Sequence, residues 1–201
     1  MSAAEELERL AREIASCSRC ALSASRRRAV PGEGPPRAAL MIVGEAPGRD
    51  EDASGRPFVG RAGRLLTSLL EEVNLKREEA YVTNVVKCRP PGNRAPRRDE
   101  VSACAPYLKR QISLVAPRLV LALGALASSS ILAMGGETKL AAAKLSELRG
   151  KIFRLEIGGL SIALMPTYHP AAALRNPRLL EALRADLARL SEIAAAGSLS
   201  A

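Results

Sequence analysis

The sequence runs to 201 residues, enough for one compact domain, and 47% of them are hydrophobic; with aromatics at only 2%, the core must be built from Leu, Val, Ile and Ala. Thirty Lys and Arg against 21 Asp and Glu leave a formal charge of +9, a balance that suits polyanionic partners, nucleic acid first. No stretch has the apolar length of a membrane span, and residues 1–15 mix acids with arginines instead of forming a signal-peptide core, so a soluble, cytoplasmic protein is expected, in a compartment where structural disulfides are uncommon.

Taken in order, Glu5 to Ala15 carries Leu7, Leu10 and Ile14 at helical spacing and runs into a C-x-x-C turn, Cys17 to Cys20. After Arg26-Arg27-Arg28 and a Gly/Pro-rich loop, the apolar run Ala38 to Val43 reads as a buried strand. It stops at Gly44, and Glu45-Ala46-Pro47-Gly48 with the following acids reads as turn, continuing to Arg56-Pro57-Phe58-Val59-Gly60. In an open α/β sheet the ligand crevice lies beyond the carboxyl ends of the strands, so Glu45 would face a ligand. Phe58, one of two phenylalanines, is either a stacking surface held by Pro57 or an aromatic buried under its loop.

Arg61 to Leu75 is an amphipathic helix, and Ala80 to Val86 a second strand interrupted by Asn84. A polar amide there must have its hydrogen bonds satisfied, so Asn84 either fixes nearby backbone or reads a ligand. Lys87 to Arg98 is a basic loop with three prolines, carrying Lys87, Arg89, Arg94, Arg97 and Arg98. It is read as a set of phosphate contacts or as a solvated charge run. Asp99 to Val115 is helical; Arg118 to Leu123 is a third strand, and Ala125 to Met134 a short helix. Lys151 to Ile157 and Leu160 to Met165 form a hairpin or neighbouring strands around Gly158-Gly159. The last strand leads to the only histidine, His169, and Pro177 to Ala194 is a final helix with a frayed tail beyond it. Strands alternating with helices predict a mainly parallel sheet covered on both faces, in one domain with its core from about residue 5 to 194. Such a sheet gathers Glu45, Asn84 and His169 at one edge.

The four cysteines, at 17, 20, 88 and 104, suit tetrahedral zinc or an iron–sulfur cluster, and spacing alone does not choose between them. A dinucleotide-binding G-x-G-x-x-G is missing from the first βα turn, as is a phosphate-binding Walker loop.

Together, Gly44-Glu45-Ala46-Pro47-Gly48, Gly55-Arg56-Pro57-Phe58-Val59-Gly60, Thr83-Asn84-Val85-Val86-Lys87-Cys88-Arg89-Pro90-Pro91 and His169-Pro170 resemble the family 4, iron–sulfur uracil-DNA glycosylases, over about residues 14 to 190. The resemblance implies a three-layer α/β/α sandwich with a central four-stranded parallel sheet, and a structural [4Fe-4S] cluster on Cys17, Cys20, Cys88 and Cys104. It implies that uracil is flipped out of single- or double-stranded DNA and its N-glycosidic bond hydrolysed, the first step of base excision repair. By motif, Phe58 would stack on the base, Asn84 would read its polar edge and His169 would stabilise charge at O2. Glu45 would orient water or oppose the sugar cation, with Ala46 beside it where related sequences often have glycine. Glu51 would crowd a thymine methyl, and Lys87, Arg89, Arg94 and Arg175 would contact DNA. A monomer associated with the nucleoid is expected, with a sliding clamp as a candidate partner.

Overall fold

The computed structural model describes residues 1–195; the expected frayed tail lies outside the described residues. In chain order the main elements are α1 (Ala3–Ala15), β1 (Leu40–Gly44), α2 (Arg49–Ser54), α3 (Arg61–Glu72), β2 (Tyr81–Asn84), α4 (Arg98–Val115), β3 (Leu119–Leu123) and α5 (Ala125–Met134). There follow α6 (Thr138–Ala141), α7 (Leu145–Leu148), β4 (Phe153–Ile157), β5 (Leu160–Thr167), α8 (Pro170–Ala173) and α9 (Pro177–Ala195).

The strands form one sheet in the order β2-β1-β3-β5-β4. The first four are mutually parallel, as expected, and β4 adds a fifth, antiparallel edge strand. That strand is the first arm of the hairpin read from the sequence. Its turn is made by Gly158 and Gly159, both at positive φ, the geometry a two-residue hairpin turn requires. Each parallel strand is largely buried on both faces, because helices cover both. Met41, Val43, Val120, Ala122, Ile162 and Leu164 point into one core with Leu108 and Ile112 of α4 and Ile131 of α5. The alternate residues Ile42, Leu119, Leu121, Leu123, Ala163 and Met165 meet Leu66 and Leu70 of α3 and Leu183 and Leu187 of α9. A third, smaller cluster joins Leu10 and Ile14 of α1 to Val86, Tyr107, Cys88 and Cys104.

Two short helices were not expected. The acidic stretch after Gly48, read as turn, forms α2, because Glu51 at its third position accepts from the Gly48 N–H and caps the first turn. Pro170 starts α8, since proline tolerates the first helical turn, where its missing N–H costs nothing.

Candidate active site

The carboxyl ends of β1, β2 and β5 open on one cavity of about 440 Å³. Its walls include Glu45, Ala46, Glu51, Phe58, Asn84, Arg94, His169 and Arg175, so these predicted site residues are brought together. Lys87 and Arg89 are not among them.

Asn84 ends β2, is 2% exposed, and is paired in register with Gly44. Its Oδ1 is the one buried side-chain polar atom among the described residues that has no hydrogen-bond partner. A buried carbonyl left unmatched costs about 1–3 kcal/mol, so it marks where a ligand donor belongs. Asn84 Oδ1 therefore fixes no neighbouring backbone. Gly44 forms the floor beneath it: a Cβ there would lie 2.4 Å from Asn84 Oδ1 and 2.5 Å from Phe58 Cζ.

Phe58 is buried, as one of its two expected descriptions has it, and its ring also lines the cavity. Its ring stacks on His169, with centroids 5.8 Å apart and an interplanar angle of 27°. Phe58 sits at φ 52°, a strained region for an aromatic residue, and Arg77 holds it there. The guanidinium donates to Phe58 O at 2.7 Å and to Pro57 O at 2.6 Å. Glycine at 63 lets the turn approach α3, since a Cβ there would stand 1.8 Å from Phe58 O. Arg77 and Gly63 escaped the sequence reading, and Gly44 entered it only as a strand end and part of a motif. Arg77 lies in an ordinary charged stretch with no motif, whereas Gly44 at a strand end signals a close approach.

Glu51 is fixed by its backbone contacts. One oxygen accepts from Gly48 N at 3.0 Å, the other from Val59 N at 2.9 Å and Gly60 N at 2.8 Å. It therefore ties both halves of the Gly44–Gly60 loop and presents a rigid wall to the cavity. Ala46 is not among the residues at positive φ, so the backbone here does not need glycine's freedom. Glu45 is half-buried; burial raises its carboxyl above the usual range, and no donor among the described residues reaches it.

His169 Nδ1 accepts from Ala171 N at 3.1 Å, which places the ring proton of the neutral imidazole on Nε2. The ring is open to the cavity and enclosed by protein elsewhere. Burial pushes its pKa down to about 4 against a weaker opposing pull from Glu51, so at neutral pH it is an uncharged N–H donor.

The basic loop differs from expectation. Lys87, predicted to contact DNA, is 1% exposed, with its ammonium turned into the protein, so that assignment is corrected. Arg89 donates to Asn93 Oδ1 at 2.7 Å. Arg94 reaches the cavity but grips Glu100 through two bonds of 2.8 and 2.6 Å; Arg97 joins the same carboxylate at 3.2 Å. Glu100 is fully buried, and the Arg94 bond in particular holds its carboxyl down at about 2. Two cations of the run, Arg94 and Arg97, thus clamp one buried carboxylate while staying partly exposed themselves. Arg175 is exposed at the cavity rim.

All four cysteines line a second, small pocket between α1, the loop after β2, and α4. Three N–H groups point at their sulfurs: Arg26 Nη1 to Cys88 at 3.1 Å, Lys87 N to Cys104 at 3.4 Å and Arg19 N to Cys17 at 3.5 Å. Donors of this kind stabilise thiolate ligands. Among the described residues no three acids, histidines or cysteines stand close enough to hold one metal ion. Four thiols around one pocket are a donor set that either zinc or an iron–sulfur cluster takes.

The model of the uracil DNA glycosylase superfamily matches residues 31–190. A type-4 uracil-DNA glycosylase of Sulfurisphaera tokodaii is 46% identical, covering 94% of this chain and 86% of its own length. One from Pyrobaculum aerophilum is 46% identical over 91% of this chain and 92% of its own. One from Thermotoga maritima is 42% identical over 86% and 85%. The loops that build the cavity, from Gly44 to His169, all fall within the matched span, and the chain belongs to the uracil-DNA glycosylase superfamily, with its type-4 members.

Proposed function

We propose that this protein removes uracil from DNA by hydrolysing the N-glycosidic bond, leaving an abasic site. The observation that carries the reading is that the unpartnered Asn84 amide and a neutral His169 donor line one cavity of about 440 Å³ together with Phe58. Uracil offers N3–H and O4 along one edge; Asn84 Oδ1 accepts from the first and Nδ2 donates to the second. Cytosine reverses both groups and is mismatched twice. Since the base is unreachable inside a duplex, it must be extruded into the cavity, where Phe58 receives its face. As the bond breaks, negative charge grows on the base, and His169 Nε2–H at O2 stabilises it. Positive charge grows on the sugar, opposed by Glu45, whose carboxylate is free to orient the attacking water. Incubating the protein with uracil-containing oligonucleotides, single- and double-stranded, and assaying free uracil and abasic ends tests the reading. Release from neither substrate would refute it. Arg175 at the rim is the cation best placed for the DNA backbone.

Gly44 gives a probe that touches no reacting group. Gly44→Ala puts a methyl into Asn84 and Phe58, so base capture should fall by about 10²-fold, the scale of one or two overpacked contacts, while the fold persists. Measuring kcat/KM beside the far-ultraviolet circular dichroism checks both halves.

Cys17, Cys20, Cys88 and Cys104 are proposed to hold a [4Fe-4S] cluster. When bound, it supplies a cross-link among α1, the loop after β2 and α4, with no part in bond cleavage. The purified protein should be brown and carry iron and sulfide; zinc alone would overturn this. Cys88→Ala should lower thermal stability and DNA affinity together, because the loop from Asn84 to Arg98 loses its anchor. Unchanged melting and binding would count against it.

A further inference from the structure

Lys87 is the only Lys or Arg buried among the described residues. Burying an ammonium with no carboxylate beside it is costly, and a methionine of similar length would fill the space without that cost. The lysine side chain offers three donors, and three acceptors meet them: Thr83 Oγ1 at 2.7 Å, Asn84 O at 2.5 Å and Gln111 Oε1 at 2.6 Å. Gln111 is itself oriented, its amide nitrogen donating to Pro31 O at 2.6 Å and Tyr81 Oη at 3.1 Å. The backbone of Lys87 is pinned from both sides, its carbonyl accepting from Val30 N at 2.7 Å and its N–H directed at Cys104 Sγ.

The bond to Asn84 O matters most. β2 ends there, and the peptide joining Asn84 to Val85 has two polar groups. Its N–H donates to Gly44 O at 2.9 Å, and its carbonyl accepts from Lys87 Nζ. With both ends tied, the peptide plane and the Cα–Cβ direction of Asn84 are set by the main chain. They have to be, because Oδ1 of that side chain has no protein partner to aim it. We propose that Lys87 is a positioning residue for base recognition: it locks the peptide after Asn84 so that the free amide meets the uracil edge without rearrangement. The inference rests on the uracil-excision reading above.

Free uracil, as a product inhibitor, reports on the base pocket alone. Lys87→Met should raise the inhibition constant of uracil about tenfold, the scale of one misdirected buried hydrogen-bond pair, and leave affinity for abasic DNA unchanged. Iron content and visible absorbance should match the parent protein. Gln111→Met also removes buried polar contacts but keeps the bond from Lys87 to Asn84; it should lower the melting temperature with no change in the uracil constant. Should Lys87→Met fail to fold, Lys87→Gln, shorter and with fewer donors, gives the same readout. A uracil constant that stays at the parent value in the folded Lys87 variant, with only stability reduced, overturns the proposal. If the parent protein releases no uracil from DNA, the functional reading fails first.

Discussion

Replacing His169 with alanine is expected to slow uracil release by about 10²–10³-fold in single-turnover assays, the usual cost of losing one donor to a developing anion. The loss should depend on the leaving group. 5-Fluorouracil departs as a more stable anion and needs less help, so His169→Ala should lose less on that base than on uracil. Glu45→Gln should lose a similar fraction on both, because the sugar is unchanged. Equal responses of the two variants would mean that they do not act on opposite sides of the bond. Acid should separate them as well. Burial raises the Glu45 carboxyl, so as pH falls it takes up its proton earlier than an ordinary carboxylate, and the parent rate declines with it. His169 stays neutral until about pH 4, so Glu45→Gln should remove the first limb and leave only a later one. Stability follows its own sign: the unfolded histidine protonates near its ordinary 6.5 and the folded one only near 4, so acidification across that interval favours unfolding.

Asn84→Asp should reduce kcat/KM on uracil by about 10²-fold or more, since the ionised carboxylate cannot donate to O4 and two mismatched buried groups cost about 1–3 kcal/mol each. Its partner experiment uses cytosine-containing DNA. A carboxylate that takes up a proton presents one donor and one acceptor, and the gap between uracil and cytosine should narrow even though both rates are low. A variant that cleaves uracil at the parent rate would show that the Asn84 Nδ2 donor serves no base.

Most of the frame was legible before any coordinates. Apolar runs of five to seven residues punctuated by glycine located the strands, and alternation with helical periods predicted their parallel arrangement. Placing Glu45, Asn84 and His169 at one edge followed from where those runs stop. What the sequence hid was pairing over long separations. Nothing in Lys87 to Arg98 shows that Glu100 captures two of its arginines, or that Lys87 folds inward toward Gln111, 24 residues on. Arg77 reaches back to the carbonyls of Pro57 and Phe58, and no local pattern encodes such a reach. The cap made by Glu51 was readable from its three-residue spacing to Gly48, but the acids around it suggested a turn.

The sheet order has a consequence for selectivity under heat. Asn84 hangs from β2 and His169 follows β5, so the two walls are separated by β1 and β3, three strand steps or about 14 Å of backbone at the usual spacing. That span is set mainly by hydrogen-bonded strands, with only Tyr168 between β5 and His169, so it has little soft give. Warming will loosen the rim and change how quickly substrates enter and leave. The gauge against which a base is measured should nevertheless stay constant, and the preference for uracil over cytosine should hold nearly level up to the temperature at which the ladder itself gives way.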